Sequence, residues 1–286
     1  MYRRIGWWCV LWVLMVTLSG PALAQSAKAM EELVEVSMLV NGDVTVDPTG
    51  KVVSYTIQDE KALPPGALAF LKRSVEGWAF EPPKMEGEAI TLENGMRLLL
   101  VAKRVEGESY QMRIQAASFD PPRQEGYTLK SRKLDPPQYP YAAAMVGMQG
   151  TVYLVLQIGR DGKVLQAVAE QVNLTRLASG PVMSRFRALL ADSALKAARG
   201  WEFEPPTRGD DAKEDFWTVR IPAAFTMVGE EPRYGTWVPY VPGPRKKAPW
   251  LDPDVPGESP EALAGGQPSL LGTPMLRLRT PVSWDG

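Results

Sequence analysis

The chain has no histidine, and its one cysteine is Cys9. Without imidazole it lacks the commonest general base and the commonest nitrogen ligand for metals. Charge of one sign is also missing: 32 Lys and Arg face 33 Asp and Glu over 286 residues. Phosphate backbones are held by clustered basic surface, so this balance argues against nucleic acid. The densest basic run, Arg245-Lys246-Lys247, is short and set among prolines, and reads as solvated charge. Beyond the N-terminus no apolar run is long enough to cross a bilayer.

What is present begins with a secretory signal pattern. Arg3-Arg4 supply positive charge, Ile5 to Leu18 are apolar, and Ala22-Leu23-Ala24 is a small-x-small cleavage site before Gln25. Fourteen apolar residues fall short of the roughly twenty that span a membrane. The reading is a cleaved signal over residues 1–24 and a periplasmic mature chain, without Cys9 and so without disulfides. An uncleaved anchor facing the periplasm from the inner membrane is the alternative, and only then does the chain touch membrane.

Periodicity divides the remainder into residues 33–119, residues 120–228, and a tail over 229–286 that carries eleven prolines and is expected to be largely disordered. In the second region, Gly150 to Ile158 and Val164 to Glu170 flank an Asp161-Gly162 turn, a hairpin signature. Asn173 to Pro181 reads as a polar loop. Met183 to Arg199 places Phe186, Leu190, Ala194 and Ala197 at helical spacing, with Gly200 as a C′ glycine and Pro205-Pro206 as a stop. Phe216 to Met227 is a last strand. The first region repeats the scheme: strands over Val34 to Val46, Val52 to Ile57 and Asn94 to Val101, a turn at Asp47 to Gly50, and a helix from Pro65 to Gly77. Gly77-Trp78-Ala79-Phe80-Glu81-Pro82-Pro83 and Gly200-Trp201-Glu202-Phe203-Glu204-Pro205-Pro206 agree at six of seven positions. An internal repeat is the economical explanation.

Several stretches carry the second copy's pattern: Pro137-Gln138-Tyr139-Pro140, Ala142 to Ala144, Gly147-Met148-Gln149-Gly150, Asp161-Gly162-Lys163-Val164, the helix end through Gly200-Trp201-Glu202-Phe203-Glu204-Pro205, and Val219-Arg220-Ile221-Pro222 with Phe225. In this order they resemble the C-terminal domain of the TonB energy-transducer family, and the first region looks like a diverged copy without the Tyr-Pro entry. The fold expected is α+β: two tandem ββαβ modules, each a small antiparallel sheet on one helix. Tyr139, Pro140, Gly150, Gly162, Gly200, Trp201, Phe203 and Pro205 are expected to be structural. The resemblance further implies an edge strand, Phe216, Trp217, Thr218, Val219 and Arg220, that accepts an extended segment of an outer-membrane or periplasmic protein; the competing possibility is that the two modules cap each other's edges. A full transducer has a membrane helix with a functional histidine and a long proline-rich linker ahead of this domain. Here histidine is absent and the prolines lie at the other end.

Three functions follow. The first is a non-catalytic periplasmic binding or adaptor protein with no cofactor. The second is a membrane-anchored transducer taking part in transport across the outer membrane. The third is a hydrolase built on Ser193-Ala194-Leu195-Lys196, which has the S-x-x-K form but no partner motifs. No metal or catalytic residue is assigned: the acidic pairs Glu31-Glu32, Asp210-Asp211 and Asp252 with Asp254 lack the ligand number calcium needs. Gly159 to Lys163 lacks phosphate-loop spacing, and Asn173-Leu174-Thr175 is a glycosylation sequon in form only.

Overall fold

The computed structural model describes residues 33–85, 87–104, 110–119, 126–209, 211–230, 232–251, 269–271 and 276–280. The expected signal segment, residues 1–24, lies outside them. The fold is α+β, with antiparallel sheets and two long helices.

The first unit opens with the hairpin β1 (Glu35–Val46) and β2 (Val52–Ile57), followed by α1 (Pro65–Glu76). A two-residue hairpin, β3 (Lys84–Met85) and β4 (Glu88–Ala89), leads into β5 (Leu92–Arg104) and β6 (Tyr110–Phe119). β1 lies against β5 along its length, and β6 pairs the far side of β5. α1 starts on Pro65, which needs no intrahelical donor at the first position. It buries Ala67, Phe70, Leu71 and Val75 against Met38, Val40, Val44, Leu98 and Leu100. Each large aliphatic or aromatic side chain so buried contributes about 1.5–3 kcal/mol.

The second unit contains β7 (Lys130–Lys133), a single turn α2 (Tyr141–Ala144), the hairpin β8 (Gly150–Gly159) and β9 (Val164–Leu174), α3 (Gly180–Ala198), β10 (Glu202–Glu204) and β11 (Phe216–Phe225). β8 is central between β9 and β11. α3 buries Met183, Phe186, Leu190, Ala194 and Ala198 onto Val152, Leu154, Leu156 and Ile158. Both sheets are also buried on the face away from their helix: Leu99, Val101 and Ala116 in the first, Tyr153 and Val155 in the second. Each sheet therefore carries a second covering layer.

The two units share a local geometry at their hairpin turns. In each hairpin turn a left-handed glycine, Gly50 (φ 88°) or Gly162 (φ 77°), lies under the aromatic motif. Phe80 N–H donates to the Gly50 carbonyl at 2.7 Å, and Phe203 N–H to that of Gly162 at 2.8 Å. A Cβ at either glycine would sit about 2 Å from the phenylalanine's carbonyl oxygen, which only glycine permits. Trp78, Phe80, Trp201 and Phe203 are all buried.

Several expectations need correction. The first unit carries a further strand beyond ββαβ, β6. Asn173 and Leu174 belong to β9 rather than to a polar loop, and Ala198, not Ala197, is the fully buried residue at the end of α3. Gly200 is not left-handed; α3 ends with Arg199 still in helical conformation. The described parts of the tail include two short strands. β12 (Val238–Tyr240) pairs Glu35–Ser37 of β1, beside β2, and Trp237 packs on the first core. β13 (Ser269–Leu271) pairs β11. Tyr240, Val241, Ala248 and Leu276 are buried, so apolar burial holds segments that proline content alone marks as loose. Trp284 lies outside the described residues.

Candidate functional site

The strand singled out by sequence, β11, is held on one side by β8 from Phe216↔Gly159 to Phe225↔Gly150. On its other side the chain's own β13 already lies antiparallel, with Thr218↔Leu271, Val219↔Leu270 and Arg220↔Ser269. Among the described residues neither module caps this edge with its own sheet; a short piece of tail does, pairing three of the ten residues of β11.

The side chains of this strand are committed inward. Trp217 and Val219 point into the helix-side core, and Trp217 Nε1–H donates to the Asp211 carbonyl at 2.9 Å. Thr218 and Arg220, on the alternate face, are also buried. Of the five candidates only Phe216 is exposed, at 40%. The edge can therefore offer a partner its backbone groups and one aromatic side chain.

Arg220 is 3% exposed and forms a two-pronged ion pair with Glu170 of β9: Nε–H to Oε2 at 2.6 Å and an η-nitrogen to Oε1 at 3.1 Å. Arg245 of the tail closes on the same carboxylate, 2.7 Å from Oε1. Sequence reasoning missed Glu170 because its partners stand 50 and 75 positions away; an acid directly after the apolar run Ala167-Val168-Ala169 is the one local signal. Arg187 of α3 was missed too. It donates to the carbonyls of Val172, Val241 and Pro242, fastening the tail to β9, and burial pulls its guanidinium below the usual range. Val241 and Leu174 exchange backbone hydrogen bonds, and Lys246 N–H donates to Glu170 O at 2.7 Å. The outer edge of β9 is thus lined by tail residues as well.

Most of the residues expected to be structural lie at packing or hydrogen-bonding positions of the second unit. Tyr139 O–H donates to the Met148 carbonyl at 2.8 Å, and its ring meets Phe225 edge-on at 5.5 Å; burial, foremost, raises its phenol pKa. Pro140 starts α2. Gly150 lets β9 approach, since a Cβ there would lie 2.3 Å from Asn173 O. Trp201 Nε1–H donates to Asp135 O at 2.7 Å. Pro205, half-buried, follows β10. Gly200 has no backbone requirement, with nothing nearer its virtual Cβ than 3.6 Å. Ser193 Oγ–H donates to the Gln138 carbonyl, tying the Tyr-Pro entry to α3, while Lys196 is exposed. The two are not brought to any shared reacting position. No group of three or more potential metal ligands occurs among the described residues, and no helix there is long and apolar enough to cross a membrane.

The chain is similar to proteins named TonB from two strains of Xanthomonas campestris pv. campestris. Each is 28% identical over 99 residues, which is 35% of this chain and 38% of the relative. The chain thus spans well under half the length of those relatives. No protein-family profile and no solved structure matches it.

Proposed function

We propose that this is a non-catalytic periplasmic binding or adaptor protein that holds an extended partner peptide by strand addition on β11. Both of its ββαβ units are read as TonB-C-terminal-like, the first diverged. The observation that carries the reading is that the outer edge of β11 accepts an added antiparallel strand: among the described residues β13 pairs it at Thr218 to Arg220. An edge strand with unpaired backbone groups is a template for another chain. A longer partner strand would satisfy more of β11 than three residues do. With side chains buried, selectivity would come from the partner's length and from contact with Phe216.

The test places a photo-crosslinking residue at Phe216 of the full chain in the cell envelope, with the more exposed Val53 on β2 as control. Leu270→Pro, which places a proline at the middle of the paired strand β13 and disfavours its extended pairing, is expected to raise the yield of a defined envelope-protein adduct at 216 and not at 53. Equal labelling at both positions, with or without Leu270→Pro, would refute strand addition here.

A second reading, a membrane-anchored transducer taking part in transport across the outer membrane, is favoured by the similarity to proteins named TonB. Intact mass of the protein recovered from cells separates the two: a chain starting at Gln25 excludes the anchor.

A further inference from the structure

The two copies of the Gly-Trp-x-Phe-Glu-Pro-Pro motif are each paired with an antiparallel strand, but the strands come from opposite parts of the chain. In the second unit it is β7, just upstream: Phe203↔Ser131 and Glu204↔Lys130. In the first unit it is residues 276–280, from the C-terminal end. Phe80 bridges Leu278 antiparallel. Glu81 N–H donates to the Arg277 carbonyl at 2.8 Å, and Arg279 N–H to that of Ala79 at 2.8 Å. Ala79 N–H donates to Thr280 Oγ at 2.7 Å across 201 positions of sequence. The segment alternates as a strand should: Leu276 is buried in the first core and Leu278 packs on it, while Arg277 and Arg279 face solvent. The Arg277–Glu81 ion pair, at 3.9 Å with both side chains half-exposed, adds little.

The same motif, over the same hairpin glycine, therefore takes a strand of the same polarity whatever its place in the sequence. We infer that Ala79–Glu81 of the first unit is a second peptide-accepting site, separate from the edge of β11. Its ligand class is a short extended peptide with apolar residues two apart and a hydroxyl residue two beyond the second. Its resident is the chain's own Leu276-Arg277-Leu278-Arg279-Thr280, a tethered ligand that the same sequence supplied in trans can replace. Recognition is by backbone pairing and two leucine contacts, so it does not depend on the covalent connection.

Two measurements test this. In hydrogen exchange on the intact chain, the Glu81 and Arg279 amides should exchange together, at least about tenfold faster than the Leu100 amide, as sub-global opening requires. Exchange of all three at one rate would make the segment a fixed part of the fold and overturn the proposal. The second measurement is fluorescence anisotropy of a labelled peptide of residues 274–281 titrated with the full chain. Leu276→Asp with Leu278→Asp empties the site, and that variant should bind the peptide at least about tenfold tighter than the parent, whose tethered tail competes at high effective concentration. A folded variant that binds no better than the parent overturns the proposal. If the double variant does not fold, the exchange result alone decides.

Discussion

At the residue scale, the hairpin glycines and the Glu170–Arg220 pair are where single changes act most. Gly162→Ala must place a Cβ 2.0 Å from Phe203 O at φ 77°, and such strained sites cost about 1–3 kcal/mol or more. Gly200→Ala meets nothing closer than 3.6 Å and should stay within about 0.5 kcal/mol of the parent. Urea unfolding midpoints compare the two directly. Glu170→Gln leaves Arg220 buried without its counter-charge, an expected loss of about 3–5 kcal/mol; Arg245→Ala, with a side chain 43% exposed, should cost less than about 1 kcal/mol. Tyr55 donates its hydroxyl to Glu76 at 2.8 Å, and burial first, then that carboxylate, pushes its phenol up to about 12. A folded-state value above the unfolded one near 10 means the native state holds this proton more tightly. Its contribution is complete below pH 10 and lost as pH rises through 12, so Tyr55→Phe should flatten the fall in stability over that window. The two glycine turns were legible in sequence because Asp-Gly and Thr-Gly between apolar runs have a local cause. Glu170 was not, because a buried charge is explained by its partner, and that partner is remote in sequence.

At the element scale, legibility followed length and period. α3, with an apolar residue every three or four positions, and β8, an unbroken aliphatic run, were readable to within three residues at each end. β12 and β13 were not. Each has three residues, too few to show a period of two, and β12 contains Pro239. Their strand form is imposed by the edges they meet, not by their own propensity, which is how tertiary context overrides local preference. β11 was expected to be an edge from the resemblance, and nothing local in the sequence marks that β13 pairs it. The same logic predicts how removable these pieces are. Leu270→Pro should leave the cooperative unfolding of the chain nearly unchanged while increasing protease cleavage around residues 268–272; a large fall in the urea midpoint would mean that β13 is part of the core.

At the scale of the whole molecule, the tail runs from one unit to the other and back. Tyr234 donates to the Gln58 carbonyl and Tyr240 to Glu35 in the first unit; residues 241–246 line β9, residues 269–271 line β11, and residues 276–280 return to the first unit. Calorimetry should accordingly show one transition for the intact chain, and two for a chain ending at Gly229. Two transitions in the intact chain would show that the tail does not couple the units. The return of residues 276–280 to Ala79–Glu81 also sets a clock. A growing polypeptide can close the second unit's motif with β7 before residues 276–280 have been made, so the first unit, synthesised earlier, completes its motif later. A chain cut ahead of Leu276 would leave the Phe80 edge open to proteases and chaperones. Order of synthesis and order of completion therefore run in opposite directions in the two units.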